Sequence, residues 1–286
     1  MIHVEIATEE MFDGIYPLLE LFNNPRTTRE QWKSLFAYTW PTEEKTRGFV
    51  LMDGERIVGF QGATFSERTI GGRKERFCNL NTWIVLPEYR PHSLLLFERA
   101  ADIQGATLTA LTPGKTFDKL YRMFGFQPLD DALRILFPVP SFRHLGSLLA
   151  FRATTNPKKI AGRLDPEDRN LFQHHLPHQC RHLLVYGGSE YCYVIFTRMK
   201  GRRFWFANVH YISNKALFLR DLDRIRLRLC LAARAPLVMV PSRFLGNQPI
   251  PRSKTAALPN PKLYRSATVA PAEIDNLYTE MILLDI

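Results

Sequence analysis

The sequence predicts an α+β fold in which mixed, mostly antiparallel sheets are flanked by helices. Short apolar segments rich in β-branched and aromatic residues, typical of strands, alternate with segments of helical periodicity. Asp53 and Gly54 stand between two such apolar segments, which is a strong signal for a β-hairpin. Another apolar segment, residues 80–86, stops at Pro87 and leads into an apolar helix after Ser93. These features indicate an α/β sandwich-like architecture.

The first half of the chain contains most of the clear strand and helix patterns. Thr8 is predicted to cap the first helix, and the Asn-Asn-Pro sequence at residues 23–25 to end it. A polar turn at residues 71–74 precedes the strand at residues 80–86. The predicted strands are residues 3–7, 48–52, 57–65, 80–86 and 106–111, and the predicted helices are residues 9–22, 28–36, 94–101 and one that ends near residue 124.

The second half repeats the same kind of pattern. Asp165 can begin a helix, and Asn214 or Ser213 is predicted to cap a long helix at residues 215–235. That helix carries one apolar stripe, made of Phe218, Leu222, Ile225, Leu229 and Ala232. The predicted strands are residues 183–186, 191–196, 204–212 and 237–240. Residues 242–261, rich in proline, are predicted to form a long loop, and residues 277–286 to close the sheet.

The length of 286 residues fits two domains of ordinary size. We expect a first domain at residues 1–138, a connector at residues 139–160 with a short helix at 145–151, and a second domain at residues 161–286. No apolar run approaches the roughly 20 residues of a membrane helix, and no membrane partner is expected. The four cysteines form no C-x-x-C pair, which favours a reduced, cytoplasmic protein.

The surplus of positive charge lies in the second half. Residues 1–150 contain 17 Lys/Arg and 18 Asp/Glu, whereas residues 151–286 contain 21 and 10. One interpretation is a basic, solvated surface, and the other is a site for an anionic ligand. Nucleic acid is not expected as a partner, because no recognition motif accompanies the charge.

No metal site is predicted. The histidines at 174, 175, 178 and 182 lie close to Cys180, but Pro177 interrupts any helical register and there is no second cluster to pair with them. A polar connection is the preferred interpretation of this segment.

Two sequence signatures resemble those of one superfamily. Residues 85–90, Val-Leu-Pro-Glu-Tyr-Arg, precede an apolar helix, and Tyr121 precedes Gly125 and Phe126 by the spacing Tyr-x-x-x-Gly-Phe. Both resemble motifs of the GNAT superfamily of acyl-CoA-dependent N-acyltransferases, and the element order β-α-α-β-β-β-α is also that of its fold. The second half resembles the family only in element order. The chain is therefore identified as a tandem of two GNAT-like domains, the second one degenerate.

The resemblance implies acetyl-CoA or another acyl-CoA as co-substrate. The pantetheine arm would lie between the strands at 80–86 and 106–111, and the pyrophosphate would lie at Arg90 and the start of the next helix. The residues thereby implied in cofactor binding are Trp83, Ile84, Val85, Arg90, His92, Ser93, Leu94 and Leu95.

The implied function is direct transfer of an acyl group, in the family's usual chemistry the acetyl group of acetyl-CoA, to a small-molecule or peptide amine. Tyr121 matches the position of the family's general acid, while its alternative role is an aromatic core residue beside Phe124. The strand offers Asn79 and Asn81 but no carboxylate, so no general base is identified. The alternative function is a catalytically silent GNAT-fold binding or scaffolding protein, favoured by Ser93 and Leu95 where the family has Gly and Gly/Ala.

Overall fold

The computed structural model describes residues 1–25, 27–114, 117–138, 152–246 and 248–284. The fold is α+β, with mixed sheets flanked by helices, as predicted. The chain divides into two compact units. The first unit comprises Met1–Leu129, Asn260–Ile274 and Tyr278–Ile286, and the second comprises Asp130–Pro259 and Asp275–Leu277.

These units differ from the predicted domains at the C-terminal end. The prediction placed residues 161–286 in the second domain, whereas the structure groups Asn260–Ile274 and Tyr278–Ile286 with the first unit. Residues 139–151, which include the predicted short helix at 145–151, lie outside the described residues. The interpretation of the second unit as a degenerate repeat of the first stays a prediction.

The regular elements are numbered in chain order. The strands are β1 (Ile2–Ala7), β2 (Gly48–Asp53), β3 (Arg56–Ile70), β4 (Arg73–Val85), β5 (Thr107–Ala110), β6 (Gln127–Leu136), β7 (Arg152–Thr154), β8 (Arg181–Gly187), β9 (Glu190–Lys200), β10 (Trp205–Ile212), β11 (Leu237–Pro241) and β12 (Ser253–Arg265). The helices are α1 (Phe12–Glu20), α2 (Arg29–Lys33), α3 (Ser93–Ala101), α4 (Asp118–Met123), α5 (Pro157–Ala161), α6 (Pro166–His175), α7 (Lys215–Arg220), α8 (Leu222–Ala233), α9 (Ser242–Leu245) and α10 (Glu280–Leu283).

The sheet of the first unit runs in the order β1-β2-β3-β4-β5-β12. Strands β1 to β4 are antiparallel, β5 is parallel to β4, and the end of β12 pairs antiparallel with β5. Helix α3 packs against β2 and β3, and its buried Leu96 and Phe97 belong to the same core cluster as Phe65 and Leu80. This core holds β4 and β5 in place.

Local signals set several turns and helix starts of the first unit. Gly54 adopts φ +61° in the turn between β2 and β3, a conformation that glycine accepts without steric cost. Thr28 and Gln31 form a capping box at α2. Thr8 makes no side-chain cap, and a 3₁₀ turn at Glu9–Met11 precedes α1. The predicted hairpin turn at Gly54 is confirmed, and the predicted cap at Thr8 is wrong.

The sheet of the second unit runs in the order β6-β11-β10-β9-β8-β7. Asn214 caps α7, since its side chain accepts a 2.9 Å hydrogen bond from the Leu217 N–H. The predicted single helix at 215–235 is wrong, because Asp221 leaves helical geometry and divides it into α7 and α8. Phe218, Ile225 and Leu229 of the predicted stripe are nevertheless fully buried in the core of this unit.

The structure corrects the prediction for the last 45 residues. The predicted loop at 242–261 contains α9 and much of β12, and the predicted closing strand at 277–286 contains the short helix α10. Proline lacks an N–H donor but accepts extended backbone, so Pro259 and Pro261 are compatible with β12. Helix α10 lies beside α2, where the carbonyl groups of Leu283 and Leu284 accept hydrogen bonds from Ser34 and Gln31.

Candidate functional site

The two parallel strands of the first unit part after a short ladder. Strands β4 and β5 pair at Phe77–Thr107, Cys78–Leu108 and Asn79–Thr109, after which β5 ends at Ala110 while β4 continues to Val85. A cavity of about 340 Å³ lies where they diverge. It is lined by Phe22, Asn24, Trp32, Gln61, Leu80, Asn81, Thr82, Trp83, Thr112, Pro113, Gly114, Phe117, Tyr121, Glu280 and Leu284.

A β-bulge shapes the wall of the cavity formed by β4. The register with β3 shifts between Phe60–Ile84 and Gly62–Asn81, so Thr82 and Trp83 together lie opposite one residue. Thr82 has φ +51°, which is uncommon for a β-branched residue. Gly62 permits the close approach of the strands here, because a Cβ at this position would lie 2.2 Å from the Asn81 Oδ1.

A buried carboxylate enters the cavity from the far end of the chain. Glu280 is 2% exposed and accepts hydrogen bonds from the Asn79 amide and, at 2.6 Å, from the Thr112 hydroxyl. The Thr109 hydroxyl orients Asn79 by donating to its Oδ1 at 3.1 Å. Burial raises the pKa of Glu280, while the hydrogen bonds from Thr112 and Asn79 favour its ionised form and oppose that rise.

A phenol lines the same cavity. Tyr121 is 4% exposed, and its ring packs edge-on against Phe97 and Phe126, at centroid distances of 4.7 and 4.9 Å. None of the described residues hydrogen-bonds its hydroxyl. Burial raises the pKa of Tyr121, and the negative charge of Glu280 raises it further. The residue therefore belongs to the aromatic core and also faces the cavity, so the two roles expected from the sequence are compatible.

Aromatic side chains form the remaining walls. The Trp83 ring lies 4.5 Å from Phe117 and 5.2 Å from Phe97, centroid to centroid. On another side, Phe22 and Trp32 stack at 5.7 Å. The cavity therefore combines a carboxylate, a phenol and several amide and hydroxyl residues with apolar surface, a composition typical of small-molecule sites.

Among known proteins, the chain is similar to solved structures. Neither a protein-family model nor a curated protein matches the sequence. Among solved structures, a GCN5-related N-acetyltransferase from Anabaena variabilis aligns over 93% of this chain and 72% of its own, with TM-score 0.58 and 13% identity. A GCN5-related N-acetyltransferase from Kribbella flavida aligns over 93% and 71%, with TM-score 0.55 and 16% identity.

The chain has the GNAT fold. At these identities the likeness establishes the fold alone. The predicted GNAT-like fold is thereby confirmed.

The predicted phosphate-binding segment is helical over its whole length. A 3₁₀ helix, Pro87–His92, continues directly into α3, and the Ser93 N–H already donates to the Arg90 carbonyl. Ser93 is the first residue of α3, and the N-cap residue, His92, makes no side-chain capping hydrogen bond. Arg90, His92, Leu94 and Leu95 are exposed. The segment therefore presents fewer free N–H groups than the sequence pattern predicts.

The structure brings only some of the predicted site residues together. Trp83 and Tyr121 line the cavity, Ile84 and Val85 follow Trp83 on β4, and Arg90 to Leu95 are not among the residues that line it. The general base that the sequence left open has a candidate in Glu280, which follows Asn79 by 201 residues. A glutamate within the apolar residues 277–284 was the available signal, since a carboxylate in such a context is buried only with partners.

Neither a metal-binding cluster nor a membrane-spanning helix is found among the described residues. Within the ranges that the structure covers, no group of three or more His, Cys, Asp and Glu side chains is arranged to hold a metal ion. None of the helices in those ranges has the length and hydrophobicity needed to cross a membrane.

Proposed function

We propose that the protein is an acyl-CoA-dependent N-acyltransferase that moves an acyl group, in the first instance acetyl, directly from coenzyme A to an amine. The observation that carries the proposal is the shared position of Glu280 and Tyr121 on one cavity, at the point where two parallel strands part. Acyl transfer to an amine needs both a proton acceptor and a proton donor, and these two side chains supply them.

Glu280 is proposed as the general base. An amine is protonated near neutral pH and must lose a proton before its nitrogen can attack a carbonyl carbon. Burial raises the pKa of Glu280, which makes its carboxylate a stronger base than an exposed glutamate. The hydrogen bonds from Asn79 and Thr112 hold the carboxylate in one orientation.

Tyr121 is proposed as the general acid. The amine nitrogen forms a bond to the thioester carbon, the C–S bond breaks, and the departing thiolate takes the phenolic proton. The phenolate then takes the second proton that the nitrogen loses as it becomes an amide. The raised pKa of Tyr121 keeps the phenol protonated, but it also makes the proton harder to release. Once Glu280 has accepted the proton of the amine, its negative charge is gone and one cause of that rise disappears. Proton uptake by the base therefore assists proton release by the acid.

The main chain of β4 is proposed to bind the pantetheine arm. Thr82 and Trp83 share one position of the β3 ladder, and β5 no longer pairs with β4 at this level. An amide-rich arm could pair with Trp83, Ile84 and Val85, and one N–H could polarise the thioester carbonyl. Arg90 and the residues from His92 to Leu95 are proposed to contact the pyrophosphate, with Arg90 supplying the positive charge.

A second candidate function is acyl-CoA binding without catalysis. The use of the Ser93 N–H within the chain, together with the side chains of Ser93 and Leu95, favours this candidate. It predicts that removal of Glu280 or Tyr121 leaves no measurable chemical defect, because there is no turnover to lose.

The test is release of free thiol from acetyl-CoA in the presence of a panel of primary amines. We expect turnover with wild type, a strong loss with Glu280→Gln and Tyr121→Phe, and normal turnover with the exposed control Glu88→Gln. Binding of acetyl-CoA with no turnover on any amine would favour the silent binding protein. If neither acetyl-CoA nor a longer acyl-CoA binds, both functions are contradicted.

A further inference from the structure

We propose that the acceptor is a primary amine with an apolar, aromatic body and no carboxylate or phosphate group, of the 2-arylethylamine type. The inference rests on the proposed function, because it names the acceptor of the same cavity. It depends on three properties of that cavity: the sign of its charge, an unpartnered hydrogen-bond acceptor, and its aromatic walls.

The charge of the cavity favours a cation. Among the described residues that line it, Glu280 is the one charged side chain. Lys262 lowers the pKa of Glu280 and is itself buried, but it does not line the cavity. An ammonium group is therefore attracted to the site. A carboxylate or phosphate would enter a buried space beside a like charge, with no cation among the described lining residues to pair with it, which is costly.

The second property is a buried acceptor atom without a partner. The Gln61 side chain is 1% exposed, and its Nε2 donates to the Asn81 carbonyl at 2.7 Å. This bond fixes which end of the amide carries the oxygen, because two oxygens would repel each other there. The Oε1 atom is left buried with no hydrogen-bond partner.

Gln61 lines the cavity, so a ligand can donate a hydrogen bond to its Oε1. An ammonium group has three N–H donors and no acceptor. It can donate to both Glu280 and Gln61, and a hydroxyl, with one donor, cannot do so. The polar groups of the site thus distinguish an amine from an alcohol of the same shape.

The third property is the apolar character of the walls. Phe22 and Trp32 stack on one side, Trp83 and Phe117 pack on another, and Leu284 also lines the space. Such surface stabilises a flat apolar body by burial and by ring contacts. A short-chain polyamine would place further charges against these rings, so a monoamine fits better.

The test uses the full chain and four probes without any coenzyme A. Binding of 2-phenylethylamine and tryptamine is compared by calorimetry with binding of phenylalanine and 2-phenylethanol. We expect both amines to bind at least tenfold more tightly than the amino acid and the alcohol. Phenylalanine or 2-phenylethanol binding as tightly as the amines overturns the proposal.

Two variants locate the binding. Glu280→Gln removes the charge, and we expect it to weaken 2-phenylethylamine about tenfold or more. Phe22→Ala changes a side chain that is 43% exposed, so folding is little affected, and we expect it to weaken 2-phenylethylamine severalfold more than ethylamine. Unchanged amine binding in both variants overturns the proposed site, and Glu88→Gln serves as the control that leaves amine binding unchanged.

A separate titration with acetyl-CoA distinguishes this inference from the proposed function. If acetyl-CoA binds and is used with other amines while none of the arylethylamines binds, the acceptor class is wrong and the function stands. If the arylethylamines bind as described while no acyl-CoA binds, the amine site stands and the proposed function is wrong.

Discussion

The side-chain amide of Asn79 donates a hydrogen bond to the carboxylate of Glu280, which lies 201 residues further along the chain. Asn79 occupies the last paired position of β4 with β5, and Glu280 is the first residue of α10. The bond therefore joins the point of strand divergence to the last helix of the first unit. It places a carboxylate where the strand itself offers none.

Asn79→Ala removes this donor, and we expect two consequences. The ionised form of Glu280 loses a stabilising hydrogen bond, so its pKa rises and the acidic limb of the pH–rate profile moves to higher pH. The loss of a buried hydrogen bond to a charged group also costs about 1–3 kcal/mol of stability. Profiles of turnover against pH for wild type and variant provide the measurement, and coincident acidic limbs would contradict the link.

Glu280→Gln is expected to change the pH dependence of stability in a defined direction. The folded protein binds the Glu280 proton more tightly than the unfolded chain does, because the folded pKa is raised. The stability of wild type therefore falls relative to that of the variant as pH rises from the ordinary pKa of glutamate to the pKa of Glu280 in the folded protein. Above the folded pKa the difference in stability stays constant. Thermal midpoints of both proteins at pH 4 and pH 7 give the comparison. If the thermal midpoint of the variant, relative to that of wild type, is no higher at pH 7 than at pH 4, the prediction is contradicted.

Tyr121→Phe is expected to reduce turnover by about 10²–10⁴-fold while leaving stability and acyl-CoA binding intact. The substitution keeps the ring that packs against Phe97 and Phe126 and removes a hydroxyl that no described residue bonds. Tyr186→Phe, at a half-buried tyrosine of the second unit, is the matched control. Equal turnover in the two variants would leave Tyr121 as a core residue only.

Arg90→Ala is expected to weaken acetyl-CoA binding by roughly 1.5–3 kcal/mol through loss of a charge-assisted contact. Calorimetry with acetyl-CoA measures this loss, and the exposed Arg99→Ala on α3 is the comparison. An equal effect of both changes would indicate a general electrostatic contribution, and no effect of either would place the phosphates elsewhere.

The basic second half is expected to make binding of an anionic ligand depend on salt. Surface charges are screened as ionic strength rises, so affinity for acetyl-CoA should fall between low and high salt if these charges contribute. Equal affinity at both would indicate that the surplus is solvated surface. Tight binding of duplex DNA or RNA with a steep salt slope would instead support a nucleic-acid partner.

Features that depend on the backbone of a few neighbouring residues could be predicted from the sequence. The turn at Gly54 and the helix end at Gly125, with φ +61° and +80°, follow from the freedom of glycine at positive φ. The caps at Thr28 and Asn214 follow from side chains that reach N–H groups three residues ahead. Tyr121 was implied near the diverging strands by the resemblance to the Tyr-x-x-x-Gly-Phe motif, and it lines the cavity.

The cavity could not be predicted in the same way, because its parts come from distant segments. Asp221 divides a helix whose apolar stripe is continuous in the sequence, and α10 forms where a strand that closes the sheet was predicted. The carboxylate of Glu280 reaches Asn79 and Thr112 only when α10 lies in the first unit, which no local pattern encodes. Backbone dihedral preferences depend on neighbouring residues, so they can be predicted from the sequence. The burial of a charge beside its hydrogen-bond donors depends on packing between segments far apart in the chain.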